Sequence, residues 1–173
     1  MIVDQPQSHF IFGYHSEIYK GYQYIAYQGK ALTNREYLEH WGKWLIPGDR
    51  NKLDALAIKL DPYVESSVIA CFKYDRRPLT NLRLQECFMC VFCDDRNRDE
   101  IWKLLAMQGE RLKAWIHDRE TVNMWLPGGR LLENWIRSEK LDEIKAEEIR
   151  NDSRDRFSQI LDYPDRPFAG WPQ

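Results

Sequence analysis

The chain has 173 residues, of which 43% are hydrophobic and 30% are charged, and its formal net charge is −2. This length and apolar content predict one folded domain with a sizeable core and exclude a wholly disordered chain. The balance of 25 basic and 27 acidic residues excludes a bulk electrostatic attraction to nucleic acid or anionic membrane. Any nucleic-acid role therefore requires a local basic patch.

The cysteines and the apolar segments indicate the cellular compartment in which we expect the protein. No apolar run approaches the roughly 20 residues that a membrane span needs, and the first residues lack the regions of a signal peptide. Three of the four cysteines fall at 87, 90 and 93. Close neighbours on a strand are poor disulfide partners, because alternate side chains point to opposite faces. We therefore expect a cytoplasmic protein with free thiols and no membrane contact.

The N-terminal part predicts strands and then a short helix. Aromatic residues recur over 9–29, which indicates one or two strands with turns at Gly13 and Lys20–Gly21, although their pairing stays open. A capping-box pattern that begins at Thr33 predicts a short helix over 34–40.

A strand and a longer helix are expected next. The apolar run Trp41–Ile46 predicts a strand, and Pro47–Asp49 predicts a turn. Apolar residues at helical spacing then predict a helix that ends at Asp61–Pro62, because the residue before a proline disfavours the helical region. The inward residues of this helix are Leu53, Leu56, Ala57 and Leu60.

The middle of the chain predicts a β-hairpin followed by a helix. Val68–Tyr74 and Cys87–Cys93 are short, apolar and rich in β-branched or aromatic residues, so we expect an antiparallel pair with a long connecting loop. Asp94 or Asp95 is expected to cap the following helix. Its inward stripe is Ile101, Leu104, Leu105 and Gln108.

The remaining sequence predicts how the chain divides into a core domain, a helical extension and a tail. Leu112–His117 indicates a strand, and Thr121–Leu126 its partner strand or its extension. Pro127–Gly129 marks a break. We expect an α+β core domain over 1–129, an antiparallel sheet with two or three helices on one face. A charged helical extension, suited to solvent rather than burial, follows over 130–161, and an extended proline-rich tail over 162–173.

Two clusters suggest metal sites. Thiolates at Cys87, Cys90 and Cys93 would suit zinc or an iron–sulfur cluster. On a strand, however, Cys90 points away from the other two, so we interpret these residues and Cys71 as core cysteines, with metal or redox chemistry as the alternative. The acidic run Asp94–Glu100 is interpreted as helix capping rather than as a metal site. We predict no cofactor.

The candidate binding residues are arginines and tryptophans. Arg76 and Arg77, between Lys73 and Arg83, form the best basic patch, and guanidinium groups suit phosphate oxygens; ordinary surface charge is the alternative. Trp41 and Trp44 fall on opposite faces of their strand, so one of them could offer a ring for base stacking, whereas core anchoring is the alternative.

Catalytic patterns are weak. The four histidines are scattered, and no Gly-x-Ser-x-Gly nucleophile elbow occurs. We therefore expect a non-enzymatic module, with a small enzyme as a third option whose site residues the sequence does not connect.

The order of elements between residues 41 and 117 resembles the eukaryotic mRNA cap-binding translation initiation factors and, more closely, the basophilic-leukaemia-expressed protein family. The resemblance implies a curved antiparallel sheet backed by helices. Cap binders hold a base between two tryptophans and its phosphates with basic residues, and the phosphate role transfers here to Arg76 and Arg77. The matching segments are Gly42–Ile46, Leu53–Leu60, Ile69–Lys73, Phe88–Cys93, Asp94–Glu100 and Lys113–Ile116.

Two functions follow as hypotheses. The first is a binding module for a nucleotide or RNA end, with Trp41 or Trp44 as the stacking surface and Arg76 and Arg77 on the phosphates. The alternative is a protein–protein interaction or homo-oligomerisation module formed by residues 130–173, in which a Leu141 and Ile144 stripe and the tail contact a partner.

Overall fold

A computed structural model describes residues 1–19, 32–80 and 83–170 as an α+β fold built on an open, curved antiparallel sheet. The six strands are β1 (Ile2–Val3), β2 (Phe10–Tyr14), β3 (Trp41–Gly48), β4 (Cys71–Asp75), β5 (Cys87–Asp94) and β6 (Trp115–His117). Their order across the sheet is β1-β2-β4-β5-β3-β6. The helices in the described residues are α1 (Ser16–Tyr19), α2 (Asn34–His40), α3 (Arg50–Glu65), α4 (Arg98–Met107), α5 (Asp118–Trp125), α6 (Arg130–Ser138) and α7 (Glu143–Leu161).

The expected helix over 34–40 is confirmed together with its cap. The Thr33 hydroxyl accepts a hydrogen bond from the backbone N–H of Glu36, and the Glu36 carboxylate accepts one from the backbone N–H of Thr33. These two bonds satisfy donors that the first helical turn leaves without partners.

The side chains of strand β3 alternate between the two faces of the sheet. It pairs with β5 along its length, from Trp41 opposite Asp94 to Gly48 opposite Cys87. The alternation expected for β3 is confirmed: Trp44 belongs to the core beneath one face, and Trp41 to a second cluster on the other. The antiparallel pairing of β4 with β5 is also confirmed.

Helices α3 and α4 pack on the first face and bury the main core. The expected end of α3 at Asp61–Pro62 is wrong, because the helix continues to Glu65 with Pro62 inside it. Val64 lies four residues after Leu60 on the same buried stripe. Burial of Val64 offsets the single backbone hydrogen bond that Pro62 cannot donate.

Gly13 does not form the expected turn but lies within β2, opposite Phe72 of β4. A Cβ atom on residue 13 would lie 2.2 Å from the Phe72 ring. Close approach of the ring to the backbone, and not a turn, therefore explains this glycine. The expected turn at Lys20–Gly21 and the aromatic residues up to position 29 lie outside the described residues.

The helix cap expected at Asp94 or Asp95 is also wrong, since α4 starts at Arg98 and its N-cap residue is Asn97. Asp94 instead accepts hydrogen bonds from the backbone N–H and the guanidinium group of Arg96. Asp95 contacts two histidine rings.

The strand expected over 121–126 is helix α5. Asp118 and Val122 are its buried residues, four apart, so the inward pattern has a helical period. The Pro127–Gly129 break separates α5 from α6.

The charged segment forms two helices and not one, with Asp142 as the N-cap of α7. Helix α7 is solvated on most sides but buries Ala146, Ser153, Phe157 and Ile160. Phe157 and Ile160 pack in the same cluster as Trp41 and the tail residue Phe168, on the second face of the sheet.

The four cysteines are free thiols. As expected, Cys87 and Cys93 belong to the core of the first face, while Cys90 lies on the opposite side of β5. In the described residues, none of the helices is both long enough and apolar enough to pass through a bilayer.

Candidate functional site

A pocket of about 230 Å³ opens on the second face of the sheet, opposite α3 and α4. Its floor follows from the strand register, because Tyr14, Cys71, Phe92 and Lys43 occupy one row across β2, β4, β5 and β3. Side chains in such a row point to the same face. The aromatic residues that line the pocket are Phe12, Tyr14, Tyr37, Trp41, Phe72, Phe92, Trp125 and Phe168.

Lys43 and Asp118 form a buried ion pair in one wall. The ammonium nitrogen lies 2.8 Å from Oδ1 of Asp118 and donates a second hydrogen bond of 3.0 Å to Thr121. The Tyr37 hydroxyl donates to the other carboxylate oxygen at 3.0 Å. Both charges are thus compensated, and this pair adds no net charge to the pocket.

Lys73 is the second lysine of the pocket, and its charge is not compensated in this way. Its ammonium nitrogen lies 4.4 Å from the ring centroid of Phe10 and 6.0 Å from that of Phe92. Within the three described ranges, Lys73 forms no ion pair with a carboxylate. A half-buried cation among aromatic faces, held by cation–π attraction, can bind an anion without first breaking a salt bridge.

Cys71 contributes a thiol to the floor of the pocket. Burial raises the pKa of Cys71 to about 12. The side chain therefore stays a neutral thiol at physiological pH and is not activated as a nucleophile. Since the pocket's carboxylate is already bound to Lys43, the arrangement suits binding better than covalent catalysis.

The C-terminal tail forms the last wall. The Phe168 ring stacks on the Tyr37 ring, with centroids 3.9 Å apart and an angle of 10° between planes. Backbone hydrogen bonds join Phe168 to Leu32, and Asn34 to Arg166. The tail therefore docks on α2 of its own chain and closes one side of the pocket.

The structure separates the binding residues expected from the sequence. Trp41 lines the pocket, although only 4% of it is exposed, whereas Trp44 is buried in the core of the first face. The Trp44 indole N–H donates to the Arg98 carbonyl. Trp44 is therefore not accessible to a ligand in this structure.

The expected arginine patch lies away from Trp41. Trp41 is level with Asp94, and Tyr74 is opposite Met89. Arg76 comes two residues after Tyr74, so about seven residues or roughly 23 Å of strand separate it from Trp41. The Arg76 guanidinium binds Asp4 and the carbonyls of Ser8 and Gln5, while Arg77 is exposed. Arg76 thus anchors the N-terminal segment.

The pocket residues that the sequence did not predict were missed for the same reason. Lys43, Phe92 and Asp118 come together only through the strand register and through the turn from β6 into α5. A weak signal exists for Lys43, because a lysine between two tryptophans on an otherwise apolar strand needs a buried partner.

Comparisons with protein-family models, with curated proteins and with solved structures gave no match. The resemblance to the cap-binding initiation factors therefore remains a prediction from the sequence.

Proposed function

We propose that the pocket on the second face binds a nucleotide or the terminal nucleotide of an RNA. The observation that carries this proposal is Lys73, a cation without a carboxylate partner in the described residues, at a pocket lined by aromatic rings. Nucleotides combine the two features that such a site recognises, a planar ring and a phosphate.

The base would lie against the aromatic walls. Phe12 and Tyr14 are half-buried and adjacent, and their rings are stacked on each other at 5.3 Å. Base–aromatic stacking contributes about 1–3 kcal/mol per base. The phosphate would contact the Lys73 ammonium, which takes the role that the sequence suggested for Arg76 and Arg77.

The size of the pocket favours a small ligand. Its 230 Å³ lies below the roughly 300–1,000 Å³ of typical drug-sized sites. A single base with its first phosphate suits this space better than several nucleotides do. The tail wall, formed by Phe168 and Gly170, further restricts access.

Tryptophan-fluorescence titration tests this proposal, because Trp41 and Trp125 line the pocket. The ligands are GMP, AMP, GTP, 7-methyl-GTP and a short single-stranded RNA. We expect saturable quenching by at least one of them, and Lys73→Met should bind that ligand more weakly. For the RNA, the salt slope should also fall by about 0.7 in Lys73→Met, as for the loss of one phosphate contact. Phe12→Ala should weaken the binding of the same ligand.

Arg77→Met is the matched control, since it removes the same charge from an exposed side chain outside the pocket. It should leave affinity unchanged. A flat response to every ligand, or equal losses in Lys73→Met and Arg77→Met, would refute binding in this pocket.

The alternative is an interaction module formed by the C-terminal helices. It is favoured by Ile144, which is 76% exposed near the start of α7. Leu141 is partly buried against α6 and α7 within the chain, so Ile144 is the member of the expected stripe that is left for a partner. Light scattering on the full chain and on Ile144→Asp tests self-association, and a monomer in both cases would refute it.

A further inference from the structure

A groove of about 560 Å³ lies between helix α6 and the loop that joins β4 to β5. Three arginine side chains line it, and they come from two separate segments of the chain: Arg83 from the loop, and Arg130 and Arg137 from α6. Among the described residues that line the groove, none is acidic. Three positive charges therefore collect on one surface of a chain whose formal net charge is −2.

The three guanidinium groups form no ion pair with a carboxylate in the part of the chain that the structure describes. Glu133 lies between Arg130 and Arg137 on α6, but its two carboxylate oxygens accept hydrogen bonds from Arg150 at 3.0 and 2.9 Å. All three groove arginines are exposed. An anionic ligand therefore reaches them directly and displaces no carboxylate of the chain.

Helix α6 presents a polar stripe to the groove. Arg130 and Arg137 are seven residues apart, which is two helical turns or about 10 Å along the axis, so their side chains leave α6 on the same side. Asn134 lies between them and also lines the groove. The opposite side of α6 is buried through Leu132 and Ile136. The packing of α6 thus fixes the direction in which both arginines point.

Two of the arginines occupy positions that disfavour arginine on local grounds. Arg83 has a φ of 59°, in the left-handed region, which glycine or asparagine adopts more readily than a residue with a long side chain. Its backbone N–H donates to the Thr80 carbonyl at 2.9 Å, which holds the turn. Arg130 is the first residue of α6, where the helix dipole favours negative charge. Local stability therefore does not explain these two side chains, and a role in binding does.

We propose that this groove binds a small oligophosphate, an anion that has several neighbouring phosphate groups. Planar guanidinium groups bind phosphate oxygens through paired N–H bonds, and the side-chain amide of Asn134 adds another donor on the same side. No aromatic residue lines the groove within the described ranges. Recognition therefore depends on the phosphates and not on the stacking of a base.

The groove is separate from the proposed nucleotide pocket, since no described residue lines both. The two proposals can therefore fail independently. Lys73→Met should weaken the ligand of the pocket and leave the binding of an oligophosphate in the groove unchanged.

Isothermal titration calorimetry of the full chain with inorganic tripolyphosphate, at low ionic strength, tests the proposal. We expect saturation at one equivalent and an affinity that falls as salt is added. Orthophosphate should bind at least about tenfold more weakly, because it contacts fewer guanidinium groups. Arg83→Met, Arg130→Met and Arg137→Met should each weaken the binding of tripolyphosphate about tenfold, as for the loss of one charge-assisted contact.

GTP has the same number of linked phosphates on a nucleoside, so it distinguishes two sources of this chemistry. It is titrated into Lys73→Met, in which the nucleotide pocket is weakened. Tighter binding of GTP than of tripolyphosphate, lost in the groove variants, would identify a nucleotide as the source. Equal or weaker binding would identify a free oligophosphate.

Arg77→Met and Arg119→Met are the matched controls. Each removes an exposed arginine that does not line the groove, one from the same loop as Arg83 and the other from α5. Both should retain the affinity of the wild type, and circular dichroism checks that every variant folds. Three results would overturn the proposal: no saturable binding, equal losses in the control and groove variants, or equal affinities for orthophosphate and tripolyphosphate.

Discussion

The Lys43 ammonium and the Asp118 carboxylate are in direct contact at 2.8 Å, with only 8% of the lysine and 3% of the aspartate exposed. Thr121 and Tyr37 complete the hydrogen bonds of this pair. A buried ion pair of this kind contributes little net stability, but removal of one partner leaves the other charge buried and uncompensated. The pair also connects β3 to α5 beside the candidate pocket.

Lys43→Met is therefore expected to reduce the free energy of unfolding by about 3–5 kcal/mol. Urea denaturation of the variant and the wild type measures this loss. Lys73→Met is the control, since it removes a lysine of the same sheet face that has no carboxylate partner in the described residues. Equal losses in both variants would show that the ion pair is not the cause.

The docking of the tail depends on Asn34. Its side-chain amide donates to the carbonyls of Gln159 and Tyr163, at 3.2 and 2.8 Å, while its backbone N–H donates to Arg166. Asn34→Ala leaves two carbonyls without these donors and should cost about 1–3 kcal/mol. Hydrogen exchange should then increase first at residues 163–170.

Arg35→Ala is the matched control for this prediction. Arg35 pairs with Asp165 of the tail at 3.1 Å, but both side chains are more than half exposed. Exposed pairs contribute about 0–1 kcal/mol, so tail exchange should hardly change. Faster exchange in Arg35→Ala than in Asn34→Ala would contradict the role of Asn34.

Local patterns predicted the elements well where neighbouring residues decide the structure. The capping box at Thr33 and the alternation of Trp41 and Trp44 depend on contacts within a few residues of chain, and both were confirmed. The strand prediction for α5 was wrong because its apolar pattern was judged from residue 121 onward. The apolar residues Val122, Trp125 and Leu126 are in fact at helical spacing and pack in one cluster, and the buried Asp118 continues the same stripe.

The candidate sites were harder to predict because they depend on the strand register. Nothing near Arg76 indicates that Asp4 and the carbonyls after it bind this guanidinium. Similarly, the contacts of Asp95 with His40 and His117 require three separate segments to be aligned. Local patterns of residues do not indicate which distant segments of the chain pair with each other.

Asp94 should contribute to acid sensitivity. Its burial tends to raise the pKa, but hydrogen bonds from the Arg96 guanidinium and backbone N–H outweigh this, so the pKa of Asp94 lies below its ordinary value. Its ionised form thus stabilises the fold above about pH 3.9, the usual pKa of the unfolded chain. This contribution is lost as the pH falls through the lowered pKa.

Asp94→Asn should therefore be less stable than the wild type at pH 7, by about 1–3 kcal/mol, and the difference should shrink below about pH 4. Urea midpoints between pH 7 and pH 3 measure both effects. Asp99→Asn is the control, because this carboxylate is 71% exposed and its ion pair with Lys113 is worth only about 0–1 kcal/mol. A pH-independent difference for Asp94→Asn would contradict an electrostatic origin.

Gly13 allows the closest approach between β2 and the core. A methyl group on residue 13 would lie 2.2 Å from the fully buried Phe72 ring, so Gly13→Ala forces the ring or the strand to move. Overpacking of this kind costs about 1–3 kcal/mol. Phe72→Leu alone should also destabilise the chain, because it leaves a cavity beneath Gly13.

The double variant, Gly13→Ala with Phe72→Leu, separates steric conflict from a general weakness of β2. If the clash is the cause, the smaller leucine side chain makes room for the added methyl group. The double variant should then be more stable than the sum of the single losses predicts, by about 0.5–3 kcal/mol. Urea denaturation of the four chains measures this coupling. Strictly additive losses would mean that the added methyl group destabilises β2 without contacting the side chain at position 72. The Phe72 ring would then not be the reason that residue 13 is a glycine.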